Sequence, residues 1–182
     1  GRWSEYLIHT CKKVYLVDMN DACIDFCKQR FSNYNNIEYV HNDGMKLDGV
    51  ADNSIDFVFS YDSFVHMEQD VIGSYLQEIS RVLQPGGSCI LHHSGRFDIA
   101  IKLGLHRLKK LGAIGYLLYQ LCSIGRVTKE GWRANVSKQI VQQLAEEADL
   151  QVEYQIQEWG QHNKYNVHLF HDYITKLVKK KN

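Results

Sequence analysis

The run Lys13-Val14-Tyr15-Leu16-Val17-Asp18 narrows the choice of folds more than any other stretch of the chain. It is apolar and β-branched, ends in one carboxylate, and is followed by Met19 and the polar Asn20 and Asp21. Such a run reads as a buried parallel strand that leaves its sheet at the carboxyl edge. Two further runs, Ile37–Asp43 and Ile55–Asp62, end in an acid, and Ser88–His92 ends in His92-His93-Ser94. Between them lie two helical patterns. Asn20–Phe31 carries the stripe Cys23, Ile24, Cys27, Phe31, and Asp70–Leu83 sets Val71, Tyr75, Leu76, Ile79, Val82 and Leu83 on one side. Pro85-Gly86-Gly87 stops the second helix. This alternation predicts an α/β fold with a mostly parallel sheet covered by helices.

Open sheets of this kind bind ligands at the carboxyl edge. A strand-terminal acid there can accept hydrogen bonds from both hydroxyls of a nucleoside ribose, and it can equally cap the next helix, at Asp18 or Asn20. Earlier, Ser4–Cys11 reads as a helix with Tyr6, Leu7 and Cys11 inward. Residues 97–125 break the rhythm, being rich in Leu and Ile with Lys102, His106, Arg107, Lys109 and Lys110 interleaved. They read as two helices joined near Gly112, serving as a lid or dimer surface in preference to a membrane-surface helix. Ser137–Ala148 reads as a helix capped by Ser137, with Ile140, Val141, Leu144 and Ala148 inward. Leu150–Ile156 and Tyr165–Ile174 read as an antiparallel hairpin turning through Gly160 and Asn163, with Lys179-Lys180-Lys181 as a solvated end.

A length of 182 residues suits one domain, here spanning 1–182 with a helical insertion at about 96–131. Lys plus Arg and Asp plus Glu each number 21, so no net field points to nucleic acid. Five cysteines without a C-x-x-C pair read as reduced thiols of a cytoplasmic protein. The apolar stretch Leu111–Gly125 is too short to span a bilayer, and no stretch reads as a secretory leader. No Cys/His/Asp spacing suits a metal, and none is expected.

The pieces Gly1-Arg2-Trp3, Val14–Asp18, Asn42-Asp43-Gly44, Ile55–Asp62, Arg81-Val82-Leu83-Gln84-Pro85-Gly86-Gly87 and the closing antiparallel pair together resemble a class I S-adenosylmethionine-dependent methyltransferase. His92-His93-Ser94, Trp132-Arg133-Ala134 and the Trp159 region look like the small-molecule or sugar O-methyltransferase branch. The resemblance implies a Rossmann-like sheet and S-adenosylmethionine as cofactor. It makes Gly1, with Arg2 beside it, the end of the Gly-rich loop beneath the cofactor. Asp18 is similar to the acid that binds the ribose, with Met19 beside the adenine. Asp43, Gly44 and Met45 look like the adenine-binding turn, and Ser60, Tyr61 and Asp62 match the strand end beneath the methyl donor. The family's first strand and most of its Gly-rich loop are absent, so the sequence is expected to lack an N-terminal piece. That strand belongs between Lys13–Asp18 and Ile55–Asp62, and its loss would leave two unpaired ladders to be closed by direct pairing, by another chain, or by residues outside this sequence.

Methyl transfer to a hydroxyl needs alignment, which supplies roughly 7–11 kcal/mol, and removal of the hydroxyl proton, worth typically 10²–10⁴-fold. His66 and His93 are the candidate bases, with a polar loop histidine as the plain reading of each. Asp62 is expected to orient the base or bind substrate. Trp132 and Arg133 are expected to line the acceptor pocket, Trp132 having a core position as its alternative. Two other classes remain in view. A NAD-dependent oxidoreductase also uses a strand-terminal Asp, but the Pro-Gly-Gly turn and the antiparallel closing pair disfavour it. A non-catalytic partner or oligomerisation domain would use residues 97–125 as its interface.

Overall fold

The computed structural model describes residues 1–95, 111–122, 127–128, 131–168 and 171–181. Helix α1 (Ser4–Ile8) leads into β1 (Val14–Asp18), α2 (Asp21–Arg30) and β2 (Ile37–His41). After a loop come β3 (Ile55–Ser60), a 3₁₀ turn (Phe64–His66), α3 (Gln69–Val82) and β4 (Leu83–His93). Helix α4 (Gly112–Cys122) and the short strands β5 (Val127–Thr128) and β6 (Gly131–Trp132) follow. Helix α5 (Lys138–Glu147), β7 (Leu150–Ile156), the small pair β8 (Glu158–Trp159) and β9 (Tyr165–Asn166), and β10 (Tyr173–Lys179) complete the order.

The sheet is in two main pieces. Strand β1 pairs in parallel with β2, Asp18 lying opposite His41. The larger piece has the order β3-β4-β10-β7. There β3 is parallel to β4, and β10 is antiparallel to both of its neighbours. Within this sheet β10 alone therefore runs against the rest, which is the expected α/β architecture. Among the described residues no ladder joins β1 to β3, so direct pairing does not close the two edges.

Asn20 caps α2, its side chain accepting the Ala22 N–H at 2.9 Å. Cys27 and Phe31 pack with Ile8 and Val14 in a small core, and Ile24 on the same helix is also buried. Cys23, expected inward, is exposed, because it precedes Ile24 by one residue and is turned about a quarter circle off the stripe. Tyr6 is likewise outside, at 68% exposure, since the five-residue α1 buries Ile8 instead. Helix α3 buries Ile72, Leu76, Ile79 and Val82, and Val71 lies on the flank. These join Leu83, Cys89 and Leu91 of β4, Val141 and Ala145 of α5, Leu150 and Leu177 in the main core. Gly87 allows β4 to pass close to β3 where their register shifts. A Cβ there would stand 2.9–3.2 Å from the carbonyl oxygens of Gln84, Ile55 and Asp56.

Two expectations about the closing strands are corrected. The last strand is Tyr173–Lys179, not Tyr165–Ile174, because left-handed backbone at His171 breaks the extended run. Lys179 is not part of a solvated end. Its ammonium donates to Ser80 O at 2.6 Å, Leu83 O at 2.8 Å and Asn53 Oδ1 at 2.8 Å, closing the carboxyl end of α3. Of the pair expected in 97–125, the first helix lies outside the described residues. Helix α4 begins at Gly112 as expected, and Leu111, Ile114, Leu117 and Leu118 are exposed.

Candidate active site

At the carboxyl end of β1, Asp18 Oδ1 accepts the Asn20 N–H at 2.9 Å, so it shapes the turn into α2 while Asn20 does the capping. The strand ends are tied together. The Asn42 N–H donates to Asp18 O at 3.2 Å, and the His41 ring lies 3.0 Å from Met19 O. Met19 is 66% exposed, and its Sδ is 3.5 Å from where a Cβ on Gly44 would be. Gly44 itself has φ +83°, which favours glycine. Asp43 Oδ1 accepts the Met45 and Lys46 N–H groups, both at 2.8 Å. These two bonds hold its carboxyl below the usual range. Asp18, Met19, Asp43, Gly44 and Met45 thus form one cluster. Each acid spends one oxygen on its own turn, and the second oxygen of each is an acceptor of the kind a ribose diol or an exocyclic amine requires.

At the end of β3, Ser60 is followed by Tyr61 and Asp62. Asp62 takes a left-handed backbone, φ +66°, and its side chain is 60% exposed. Its N–H donates to His92 Nδ1 at 3.2 Å, and Arg133 lies 3.7 Å from its Oδ1. Arg133 Nε donates to Asp172 Oδ2 at 3.1 Å. His92 Nε2 stands 3.2 Å from the same oxygen, off the hydrogen-bonding direction. Asp172 is fully buried and Arg133 nearly so. The Tyr61 ring stacks on His92 at 4.4 Å and tilts against Trp3 at 5.2 Å. Burial, then the charge of Asp62, raises the Tyr61 hydroxyl above its ordinary value. Gly1 and Arg2 are exposed, and Gly1 has Cys27 Sγ 3.0 Å from the place of a Cβ.

His66 is exposed on the 3₁₀ turn, next to Val65, whose carbonyl accepts the Ala134 N–H at 2.8 Å. That bond sets the segment carrying Arg133 beside the turn. Trp132 is placed by its backbone pairing with Val127. The two strand edges are connected. The Phe64 ring is 5.6 Å from Tyr75, whose hydroxyl accepts from Asn42 at 2.8 Å. These contacts link the Asn42–Asp43 turn to the segment that follows Asp62.

His93 does not join them. It is fully buried, with Nδ1 2.7 Å from Ser94 O and Nε2 2.6 Å from Thr175 Oγ1. The carbonyl requires Nδ1–H, so Nε2 accepts from the threonine. Burial pushes the ring down to about 4. A base needs a ring nitrogen within reach of its substrate, and both are engaged inside the protein. His92 and Asp172, by contrast, meet Asp62 and Arg133 at the site. The His-His-Ser run marked the strand end without saying which histidine faces it. Nothing in sequence pairs Asp172 with Arg133. Among the described residues no group of His, Cys, Asp and Glu is placed to hold a metal ion.

The family model described as a methyltransferase domain matches residues 1–91, half of the chain. No curated protein matches the sequence. Among solved structures, the PH0226 protein of Pyrococcus horikoshii is similar with TM-score 0.61 and 23% identity, over 99% of this chain and 77% of that one. A putative sarcosine dimethylglycine methyltransferase from Galdieria sulphuraria has TM-score 0.65 and 13% identity, covering 97% and 74%. The N-methyltransferase NodS from Bradyrhizobium japonicum, solved with S-adenosyl-L-homocysteine, has TM-score 0.62 and 15% identity, covering 100% and 74%. At such identities the likeness is one of fold. With residues 1–91 matched to the family model, the chain belongs to the methyltransferase domain family, the S-adenosylmethionine-dependent enzymes that its strand ends and Pro-Gly-Gly turn resemble.

Proposed function

We propose that the protein transfers a methyl group from S-adenosylmethionine to a hydroxyl of a small molecule or sugar. The observation that carries this is the gathering of Asp18, Met19, Asp43 and Gly44 at one sheet edge, joined through Asn42, Tyr75 and Phe64 to the edge bearing Tyr61 and Asp62. The cofactor fits this donor set. Asp18 would hold the ribose diol, Met19 and Gly44 would border the adenine, and the second oxygen of Asp43 would accept from its amino group. Gly1, Arg2, Ser60 and Tyr61 would complete the cradle. When bound, S-adenosylmethionine supplies a methyl group already activated by the sulfonium charge.

The chain's own work is positioning and proton removal. Asp62 is fixed by the His92 and Arg133 contacts and offers its exposed carboxylate to the acceptor. His66, on the adjoining turn, takes the hydroxyl proton, and Arg133 and Trp132 border the acceptor. The base role is assigned to His66 alone, because His93 has both nitrogens occupied. The proposal includes a single domain that works in the cytoplasm, with a lid or interface role for the insertion at about 96–131, of which residues 96–110 lie outside those described.

Calorimetry with S-adenosylhomocysteine tests the cofactor site. A charged hydrogen bond is worth roughly 1.5–3 kcal/mol, so Asp18→Asn is expected to weaken binding about ten- to hundredfold. Unchanged affinity in a folded variant removes the ribose role. Labelled S-adenosylmethionine offered with hydroxylated sugars then tests the acceptor, and His66→Ala is expected to lower turnover at least a hundredfold. A second use is favoured by the exposed Leu111, Ile114, Leu117 and Leu118, which offer a face for a second copy of the chain. Sedimentation is expected to show a dimer that Ile114→Glu converts to monomer; a wild-type monomer ends that proposal.

A further inference from the structure

Between β2 and β3 the chain runs from Asn42 to Ser54 without a helix or strand, and this stretch carries the Asp43 turn. A segment of that length is ordinarily mobile, and a ligand that needs it must first order it. Here α3 holds it from outside. Ser74 Oγ donates to Met45 O at 3.0 Å, and the Tyr75 hydroxyl accepts from Asn42 Nδ2 at 2.8 Å. Glu78 Oε2 accepts the Leu47 N–H at 2.8 Å, and Arg81 donates to Leu47 O at 3.2 Å and Val50 O at 2.9 Å. Positions 74, 75, 78 and 81 share one face of a helix, next to the stripe that enters the core. Glu78 and Arg81 also bond each other at 2.8 Å, and that pairing holds the Glu78 carboxyl below its usual range. Within the loop, Asn42 Nδ2 also donates to Lys46 O at 2.8 Å, so one amide fastens the turn to itself and to the helix.

We propose that this polar face of α3 is a cofactor-positioning brace: Ser74, Tyr75, Glu78 and Arg81 hold the 42–47 loop so that the outer oxygen of Asp43 meets the exocyclic amine of the adenine. None of the four needs to touch the cofactor. They act through Asp43 by removing the ordering cost from the binding step. The proposal rests on the reading that the Asp43 turn holds the adenine. It adds that base selectivity is set from the neighbouring helix. A carboxylate oxygen held in place accepts from the adenine amine and repels the carbonyl oxygen that hypoxanthine carries at the same position. A loose loop discriminates less.

The test compares S-adenosylhomocysteine with S-inosylhomocysteine by calorimetry on the full chain. Ser74→Ala/Tyr75→Phe deletes two hydroxyls and keeps the Tyr75 ring against Phe64. It is expected to weaken S-adenosylhomocysteine about tenfold and to lower the preference over the inosyl compound. A purely structural contribution reduces the folded fraction and weakens both ligands by one factor, so an unchanged preference overturns the brace. Tyr75→Phe alone is expected to move the preference in the same direction and serves if the double variant folds poorly. Asp43→Asn separates the two ideas. If it leaves affinity and preference untouched, the adenine reading itself fails. If it lowers both while the α3 variants keep the wild-type preference, the brace alone is overturned.

Discussion

Adjacent side chains on a strand point to opposite faces, so His92 and His93 meet different neighbours. His92 accepts from the Asp62 backbone at the site, and His93 is sealed between Ser94 O and Thr175. The sequence places both at a strand end, but facing depends on register, which neighbouring strands decide. That is why the alternation of residues alone does not separate the surroundings of His92 from those of His93. The His93 environment has a pH consequence. Its folded value, about 4, lies below the ordinary 6.5, so the unfolded chain binds a proton that the native protein does not. Its contribution is therefore flat above 6.5 and is lost as pH falls from 6.5 toward 4, on the order of 3 kcal/mol. Carboxylates such as Asp43 and Glu78, held low, add their own loss at lower pH. Urea titrations at stepped pH are expected to show this slope, and His93→Gln to flatten it relative to wild type. A parallel pair of curves removes the effect.

Periodicity gave each long element its type and most of its inward face, and it erred at the margins. In α3 Leu76, Ile79 and Val82 face inward as expected, and at the first turn Ile72 is buried where Val71 is expected, because amphipathic patterns fix rotation only to within a residue. The polar side of that same helix could not be read at all, since its partners, Asn42, Met45 and Leu47, are distant in sequence. Lys179 shows the same limit. Three lysines in a row suggest a solvated end, yet the first sits on β10 and bonds the last carbonyls of α3. A cation there also suits the negative end of the helix. Lys179→Met keeps the stem and removes three bonds, and is expected to cost about 1–3 kcal/mol in chemical denaturation. A loss below the error of the measurement shows that water replaces those bonds.

At the scale of the whole molecule, alternation of strand and helix announced an α/β sheet, but the order β3-β4-β10-β7 was not in the pattern. Local periodicity carries no information on which edge a late strand joins. Strands β1 and β3 are each paired on one side only among the described residues. In a parallel strand alternate N–H groups point to opposite sides. Hydrogen exchange is expected to show every second amide of β1 and β3 exchanging fast, while β4 and β10 are protected throughout. Uniform protection along β1 and β3 means that something else covers their outer sides. The position of β10 reaches beyond the finished molecule. It is made after β7 yet lies between β7 and β4. A nascent chain on the ribosome must therefore carry β4 without its β10 neighbour until residue 173 emerges, and during that wait the open edge is exposed to mispairing.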